Sequence, residues 1–293
     1  TWAAIYNANA TVTNAGEFCL RCHTPTGWYA GRSNPADGSA LLPQDIRNGV
    51  SCQLCHRMVD IDPSSNDETS GIDQIIRNAI SQLPPNDHRG SAMILLDPND
   101  NRRGPFSLPG FGYHSAYRSD LLSQAQNAWK ESSLCGNCHN IDNPLLSWNA
   151  TQEEYLPNAN GQPAEDYSNG ALFPIERTFD EWAASDFAAA GVYAPQFAGA
   201  KADGTVRSCQ DCHMPRASGY AALEQFNPQY RDCKTNGCLP KHSFLGANSW
   251  LPSLIVNENW RLAAPEDSIY LDISARNAQQ FLRKSATLHA EIT

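Results

Sequence analysis

Cys19-Leu-Arg-Cys22-His23, Cys52-Gln-Leu-Cys55-His56, Cys135-Gly-Asn-Cys138-His139 and Cys209-Gln-Asp-Cys212-His213 repeat one pattern, C-x-x-C-H, four times in 293 residues. The spacing answers a chemical requirement. Two thiols must each add to one vinyl group of the same porphyrin, while the adjoining imidazole turns beneath the ring to bind the iron. One residue more or fewer between the cysteines misplaces one of the three groups. The pattern is the c-type haem attachment signature.

Other chemistries use the same cysteine spacing. Paired C-x-x-C units build zinc tetrathiolate sites, and a single unit can serve as a thioredoxin-like redox pair. Histidine fills only 8 of 293 positions. Meeting it by chance directly after all four pairs is on the order of one in a million, which favours haem over zinc. No βαβ pattern surrounds any pair, which weakens the thioredoxin reading further. Four covalent haem c groups with their iron are therefore expected on Cys19 and Cys22, Cys52 and Cys55, Cys135 and Cys138, and Cys209 and Cys212, with His23, His56, His139 and His213 as proximal ligands. Two cysteines remain, Cys233 and Cys238, on either side of Lys-Thr-Asn-Gly. A tight Gly-containing loop brings them together, so a disulfide is expected, with a redox-active pair as the alternative.

Eight histidines divide into four inside the motifs and four outside them, His88, His114, His242 and His289. Four irons need four sixth ligands. The match points to bis-histidine iron throughout, which leaves no coordination position for a substrate. His114 opens a polar stretch that leads to the third motif, and His242 stands in a loop anchored by the Cys233–Cys238 pair. His88 sits in Asn-Asp-His-Arg-Gly, and His289 lies near the end of a helical pattern. For each the plainer reading is a surface or loop residue, and His289 has the further one of serving a neighbouring subunit's haem. Methionine is the competing ligand type. Met58 and Met214 stand too near their own proximal histidines to reach the opposite face of the ring, and Met93 reads as core.

The net charge of −10 and pI near 5.2 argue against nucleic acid or an anionic membrane surface as partner, since either needs a basic patch. The most apolar piece, Ala92 to Leu96, is far too short to span a bilayer and is closed by Asp97 and Pro98. A soluble chain without a membrane span is expected. It opens on Thr1 rather than Met, as a processed export product does. Arg102, Arg103 and Arg118 form a small basic island that suits haem propionates or a solvated loop equally well. Asn9-Ala-Thr11 and Asn149-Ala-Thr151 match the N-glycosylation pattern and fit an exposed surface.

Helical spacing is read over Ile72 to Gln82, Ser115 to Ser132, Thr178 to Ala190 and Asp267 to Ala290. Between them Pro, Gly, Asn and Asp recur, as in Asp62 to Gly71 and Pro157 to Gly170, so about half the chain is expected to be loop. The fold class expected is mainly α with extensive loop and little β structure, a haem-cored cytochrome whose porphyrins supply much of the interior. No domain boundary stands out, and residues 1–293 are taken as a single tetrahaem domain. The first two motifs begin only 33 residues apart, at Cys19 and Cys52, which suggests a close haem pair.

Gly49-Val-Ser-Cys-Gln-Leu-Cys-His56, Arg103-Gly-Pro-Phe106 with His114 downstream, Leu134-Cys-Gly-Asn-Cys-His139 followed by Asn143-Pro144, and Cys209-Gln-Asp-Cys-His-Met-Pro215 followed by His242-Ser-Phe244 resemble the secreted multihaem c-type cytochrome family. The resemblance runs from about residue 16 to 250. It implies four haems, with distal ligands at His114 and His242. Some relatives are four-haem subunits that polymerise into extracellular conductive filaments, in which a haem can take its distal histidine from the adjacent subunit. The function expected is electron transfer outside the cell, through closely spaced haems, to redox partner proteins or extracellular acceptors. Self-association into a homopolymeric filament with inter-subunit haem contacts is the favoured version. The expected location is secreted, extracellular or at the cell surface, with the periplasm as an alternative. The competing class is a multihaem reductase of a small nitrogen or sulfur compound, which needs one haem with an open coordination position.

Overall fold

All four C-x-x-C-H stretches wind through a turn of helix. In the computed structural model the first ends the Ala15–His23 helix, the second fills the Cys52–Arg57 helix, and the fourth is the Cys209–His213 helix. The third begins in helical residues 131–136 and closes with the amides of Cys138 and His139 both donating to the Cys135 carbonyl, at 3.1 and 2.9 Å. Local chemistry starts these helices where they start. Ser51 accepts from the Leu54 amide at 3.4 Å, and the Asp211 carboxylate accepts from the Ser208 amide at 3.2 Å, which satisfies donors that the first turn leaves open.

The structure describes residues 15–59, 72–79, 90–99, 131–159, 162, 164–168, 170–199, 201–220, 230–235, 238–257 and 266–285. The chain divides into two compact units, Thr1–Ala189 and Ala190–Thr293.

In the first unit a short apolar core forms from Leu54, Met58, Ala92 and Ile94. Met58–Val59 pairs antiparallel with Leu95–Leu96, which fixes residues 90–97 beside the second motif. A three-stranded sheet has Ile141–Asn149 at its centre, flanked by Glu154–Pro157 and Leu172–Glu176. Its register slips between Asn143 and Ser147, the stretch that contains Pro144, as expected of a residue that cannot donate to a ladder. Trp148, Tyr155 and Phe173 follow one another across this sheet at ring distances of 5.0 and 5.4 Å. Asn149 closes the first hairpin by accepting from the amides of Thr151 and Gln152, at 2.9 and 3.1 Å.

The second unit strings together three two-stranded sheets, which pair Val192–Tyr193 with Thr205–Val206, Arg216–Ala217 with Leu239–Pro240, and Gly219–Tyr220 with Tyr230–Arg231. The 20-residue helix Glu266–Ser285 buries Ala275 and Ala278 and packs with the Leu251–Asn257 helix. Among the described residues no helix is long and apolar enough to cross a membrane.

The expected fold class is overturned. The chain is about 40% helical and 18% strand, the strand residues lying in several small sheets, so it is not a mainly α chain with little β structure. The physical reason is turn chemistry. Residues 194–204 carry Pro, Gly and Asp and read as loop, yet Val192–Tyr193 and Thr205–Val206 at their two ends pair and satisfy each other's backbone groups. The interior is also not left to a cofactor, because the chain supplies buried apolar side chains of its own, Leu54, Met58 and Val59 in one unit and Val206 in the other.

The helical expectations fared unevenly. Ile72–Asn78 lies within its expected stretch, and Glu266–Ser285 begins one residue before its own; residues 80–82 and 286–290 of those stretches lie outside the described residues. The third stretch breaks into Thr178–Ala183 and Asp186–Ala189, where Ser185 Oγ donates to the Trp182 carbonyl at 2.6 Å and competes with the ladder. Residues 115–130, most of the remaining stretch, lie outside the described residues, as do 62–71.

Candidate functional site

A helical turn puts residues i, i+3 and i+4 on one face and i+2 on the opposite one. Each motif therefore presents two thiols and an imidazole together, with its second intervening residue turned the other way. That residue is Leu54, Asn137 and Asp211 in the last three motifs, at 4%, 1% and 1% exposure. These three side chains fasten their motifs to the protein.

In the first unit three motifs meet around the Leu54–Met58–Ala92–Ile94 core, against which Cys22 and Cys138 both pack. Cys22 and Cys138 lie together against that core, and their closeness, with burial, raises the Cys138 thiol above its ordinary value. Burial likewise raises the thiols of Cys19 and Cys55. The third motif is tightly clasped. Asn137 donates to the Met58 sulfur at 3.6 Å, its carbonyl accepts from the Ala92 amide at 2.8 Å, and the Asn140 carbonyl accepts from Ser91 at 2.7 Å. A Cβ on Gly136 would stand 2.7 Å from the ring of Phe179.

In the second unit His213 donates through Nδ1 to the Leu245 carbonyl, and its ring stacks on Phe281 at 5.6 Å and 28°. A ring held by Nδ1 offers Nε2 as the ligand atom, the orientation that metal-binding histidines receive from their outer partners. Asp211 is enclosed by Lys201, by Arg216 at 3.0 Å and by the Arg207 amide at 2.9 Å. Burial opposes its charge, but these partners prevail and hold the carboxyl below its ordinary value. The neighbouring Cys212 thiol is pushed up to about 11, chiefly by burial. A cleft of about 220 Å³ opens beside Cys212, lined among others by Phe197, Arg216, Phe281 and Lys284.

The donor set fits a covalently held porphyrin: thiols at i and i+3, imidazole at i+4, and at the fourth motif an imidazole whose tautomer is set by a backbone carbonyl. Cys19, Cys22, Cys52, Cys55, Cys135, Cys138, Cys209 and Cys212 carry no disulfide. Among the described residues no group of three or more His, Cys, Asp or Glu side chains is placed to hold a metal ion between them. Such a gathering is what a zinc tetrathiolate requires.

Of the four histidines outside the motifs, His88, His114 and His289 lie outside the described residues, as do Arg102, Arg103 and Arg118. His242 is exposed, its ring edge-on to Phe244 at 5.9 Å. It stands on a segment bound to the fourth motif, with the Lys241 amide donating to Pro215 at 2.9 Å and the Leu245 amide to His213 at 3.1 Å. Cys233 and Cys238 are disulfide-bonded, their Cα atoms 4.4 Å apart. Phe281 and the Leu245 carbonyl went unnoticed in the sequence, because neither belongs to a motif and a backbone acceptor has no residue signature.

No protein-family model, curated protein or solved structure matches the chain.

Proposed function

We propose that this chain is an electron-transfer protein carrying four covalently attached haem c groups. Cys19 and Cys22, Cys52 and Cys55, Cys135 and Cys138, and Cys209 and Cys212 hold the rings through thioether bonds, each formed by addition of a thiol across a vinyl group. His23, His56, His139 and His213 bind the irons from the proximal side. His88, His114, His242 and His289 supply the sixth ligands, and iron coordinated by two imidazoles exchanges single electrons without opening a site for substrate. The observation that carries the reading is the presentation of two thiols and one imidazole on a single helical face, four times over, with His213 oriented by Leu245 as a ligand histidine is.

The partners that suit this activity are redox proteins or extracellular electron acceptors, met by a secreted, extracellular or surface-attached chain, or by one in the periplasm. Self-association into a homopolymeric filament, with haem contacts between subunits, extends the same relay.

Intact mass of the protein matured with a haem-attachment system tests the reading. The mass is expected to exceed that of the polypeptide by four haems, and low-temperature electron paramagnetic resonance to show low-spin iron throughout. A mass equal to that of the bare polypeptide refutes it, and a high-spin fraction refutes the bis-histidine assignment.

A further inference from the structure

The first three motifs are gathered on one segment of the chain. Residues 90–97 act as a common spine, and each motif is tied to it by a different bond. Tyr29, in the helix that follows the first motif, donates through its hydroxyl to the Ile94 carbonyl at 2.7 Å. Met58–Val59, directly after the second, pairs with Leu95–Leu96. Asn137, inside the third, accepts from the Ala92 amide at 2.8 Å. The outcome is that the last cysteine of the first motif and the last cysteine of the third, Cys22 and Cys138, pack on one cluster of side chains.

We propose that the first and third haems are direct neighbours, meeting across Cys22 and Cys138, so that electrons pass between these two motifs without following their order along the chain. The inference rests on the haem reading above. A thioether sulfur is separated from the porphyrin ring by a single carbon atom, so two sulfurs in contact hold two ring edges together. The second motif reaches the same place through Leu54, which lies in the cluster. The transfer is a simple exchange: one electron leaves ferrous iron at one motif and reduces ferric iron at the other, and no bond is made or broken.

The proposed pair differs from the one that spacing suggests. The 33 residues between Cys19 and Cys52 suggested that the first and second haems form the close pair. The longer connection to the third motif does not separate it from the first, because loop length sets only a weak entropic charge on bringing chain ends together.

A deletion cycle on the mature protein tests the proposal. Neighbouring porphyrins couple their Soret transitions and give a two-signed circular dichroism couplet that needs both partners. Cys19→Ala/Cys22→Ala removes the first haem, Cys135→Ala/Cys138→Ala the third, and the two sets together remove both, with haem number counted by intact mass. The couplet shared by the first and third haems is expected to vanish in either deletion, so the combined variant loses less signal than the two separate losses added. Strictly additive losses, with the expected haem numbers present, overturn the proposal while leaving the haem reading intact. A wild-type chain without haem removes the reading itself. If a deletion variant fails to mature, Cys22→Ser and Cys138→Ser keep each ring on its other cysteine. The same non-additivity is then expected as a change in the couplet's shape, and its absence counts equally against the proposal.

Discussion

Replacing Asp211 by alanine removes the acceptor around which the fourth motif is built. The carboxylate is 1% exposed. One oxygen accepts from Lys201 and from the amides of Arg207 and Ser208, at 2.9 and 3.2 Å for the amides, and the other accepts from Arg216 at 3.0 Å. Without it, a guanidinium only 18% exposed has lost its counter-charge, and two amides at the start of the Cys209–His213 helix have lost their partner. Breaking a buried ion pair from one side costs about 3–5 kcal/mol. Lys201 is 40% exposed and recovers part of its solvation, so the lower end, about 3 kcal/mol, is expected. Asp211→Asn keeps the shape and one good acceptor and should lose less. The assay is denaturant unfolding of the mature protein followed by far-ultraviolet circular dichroism, with haem content counted by intact mass. The expected result is a lowered midpoint and a population lacking one haem. A midpoint within about 0.5 kcal/mol of wild type, the usual scatter of surface substitutions, with haem content unchanged, refutes the assignment of Asp211 as the anchor.

Arg32 grips Asp45 with two bonds, at 2.7 and 2.6 Å, and holds its carboxyl below the ordinary value. A depressed folded pKa contributes stability that is present above the unfolded value, about 3.9, and is lost as pH falls through the folded one. The urea midpoints of wild type and Arg32→Gln should therefore differ at pH 7 and converge below the ordinary carboxylate range; a difference constant with pH speaks against the pair. Gly90 has φ +132°, and a Cβ there would stand 2.1 Å from the Asn140 carbonyl, so Gly90→Ala is expected to cost at least about 2 kcal/mol in thermal or denaturant unfolding. Gly31 has φ +74° with open space around it, so Gly31→Ala is the control and should cost about 1 kcal/mol. The Cys233–Cys238 bridge closes a loop of sequence separation 5, so reducing it, or replacing both cysteines by serine, should destabilise by about 2 kcal/mol on the chain-entropy account; no change in midpoint counts against that account.

The helical turns at the C-x-x-C-H motifs were legible because the pattern is both local and geometric. Its spacing matches one helical turn, so the residues that name the chemistry also state the backbone that serves it. The long terminal helix was legible for a similar reason, since its apolar period persists over many turns. The small sheets were not. Val192–Tyr193 and Thr205–Val206 are too short to show alternation, and their pairing follows from turns whose Gly and Asp read equally well as loop. The contact of Cys22 with Cys138 was illegible in principle, because it depends on residues 90–97, whose apolar run reads as core without saying which motifs share it. The Leu245 carbonyl belongs to the same class: any residue can provide it, and only the fold brings it to His213.

The four motifs share their spacing, but each is anchored by a different second intervening residue, and this difference has a measurable order. Facing away from the thiols, Leu54 enters the apolar core, Asn137 reaches the Met58 sulfur, and Asp211 enters its ion cluster. Arg21 alone stays partly exposed: its side chain is 33% exposed, it pairs with Glu17 at 2.9 Å and it lies 5.4 Å from the Trp28 ring. Removing Leu54 to alanine empties a packed site and should cost about 2–5 kcal/mol. Removing the Asn137 side chain loses a buried amide and should cost about 1–3 kcal/mol. A part-buried pair one helical turn apart is worth about 0.5 kcal/mol, to which a cation resting on an indole adds about as much again. Arg21→Ala should therefore be the mildest of the four in denaturant unfolding, with Leu54→Ala and Asp211→Ala the most severe. If Arg21→Ala destabilised as much as they do, the anchoring role could not reside in the face turned away from the thiols, and the helical presentation of the motifs would have to be held by something else.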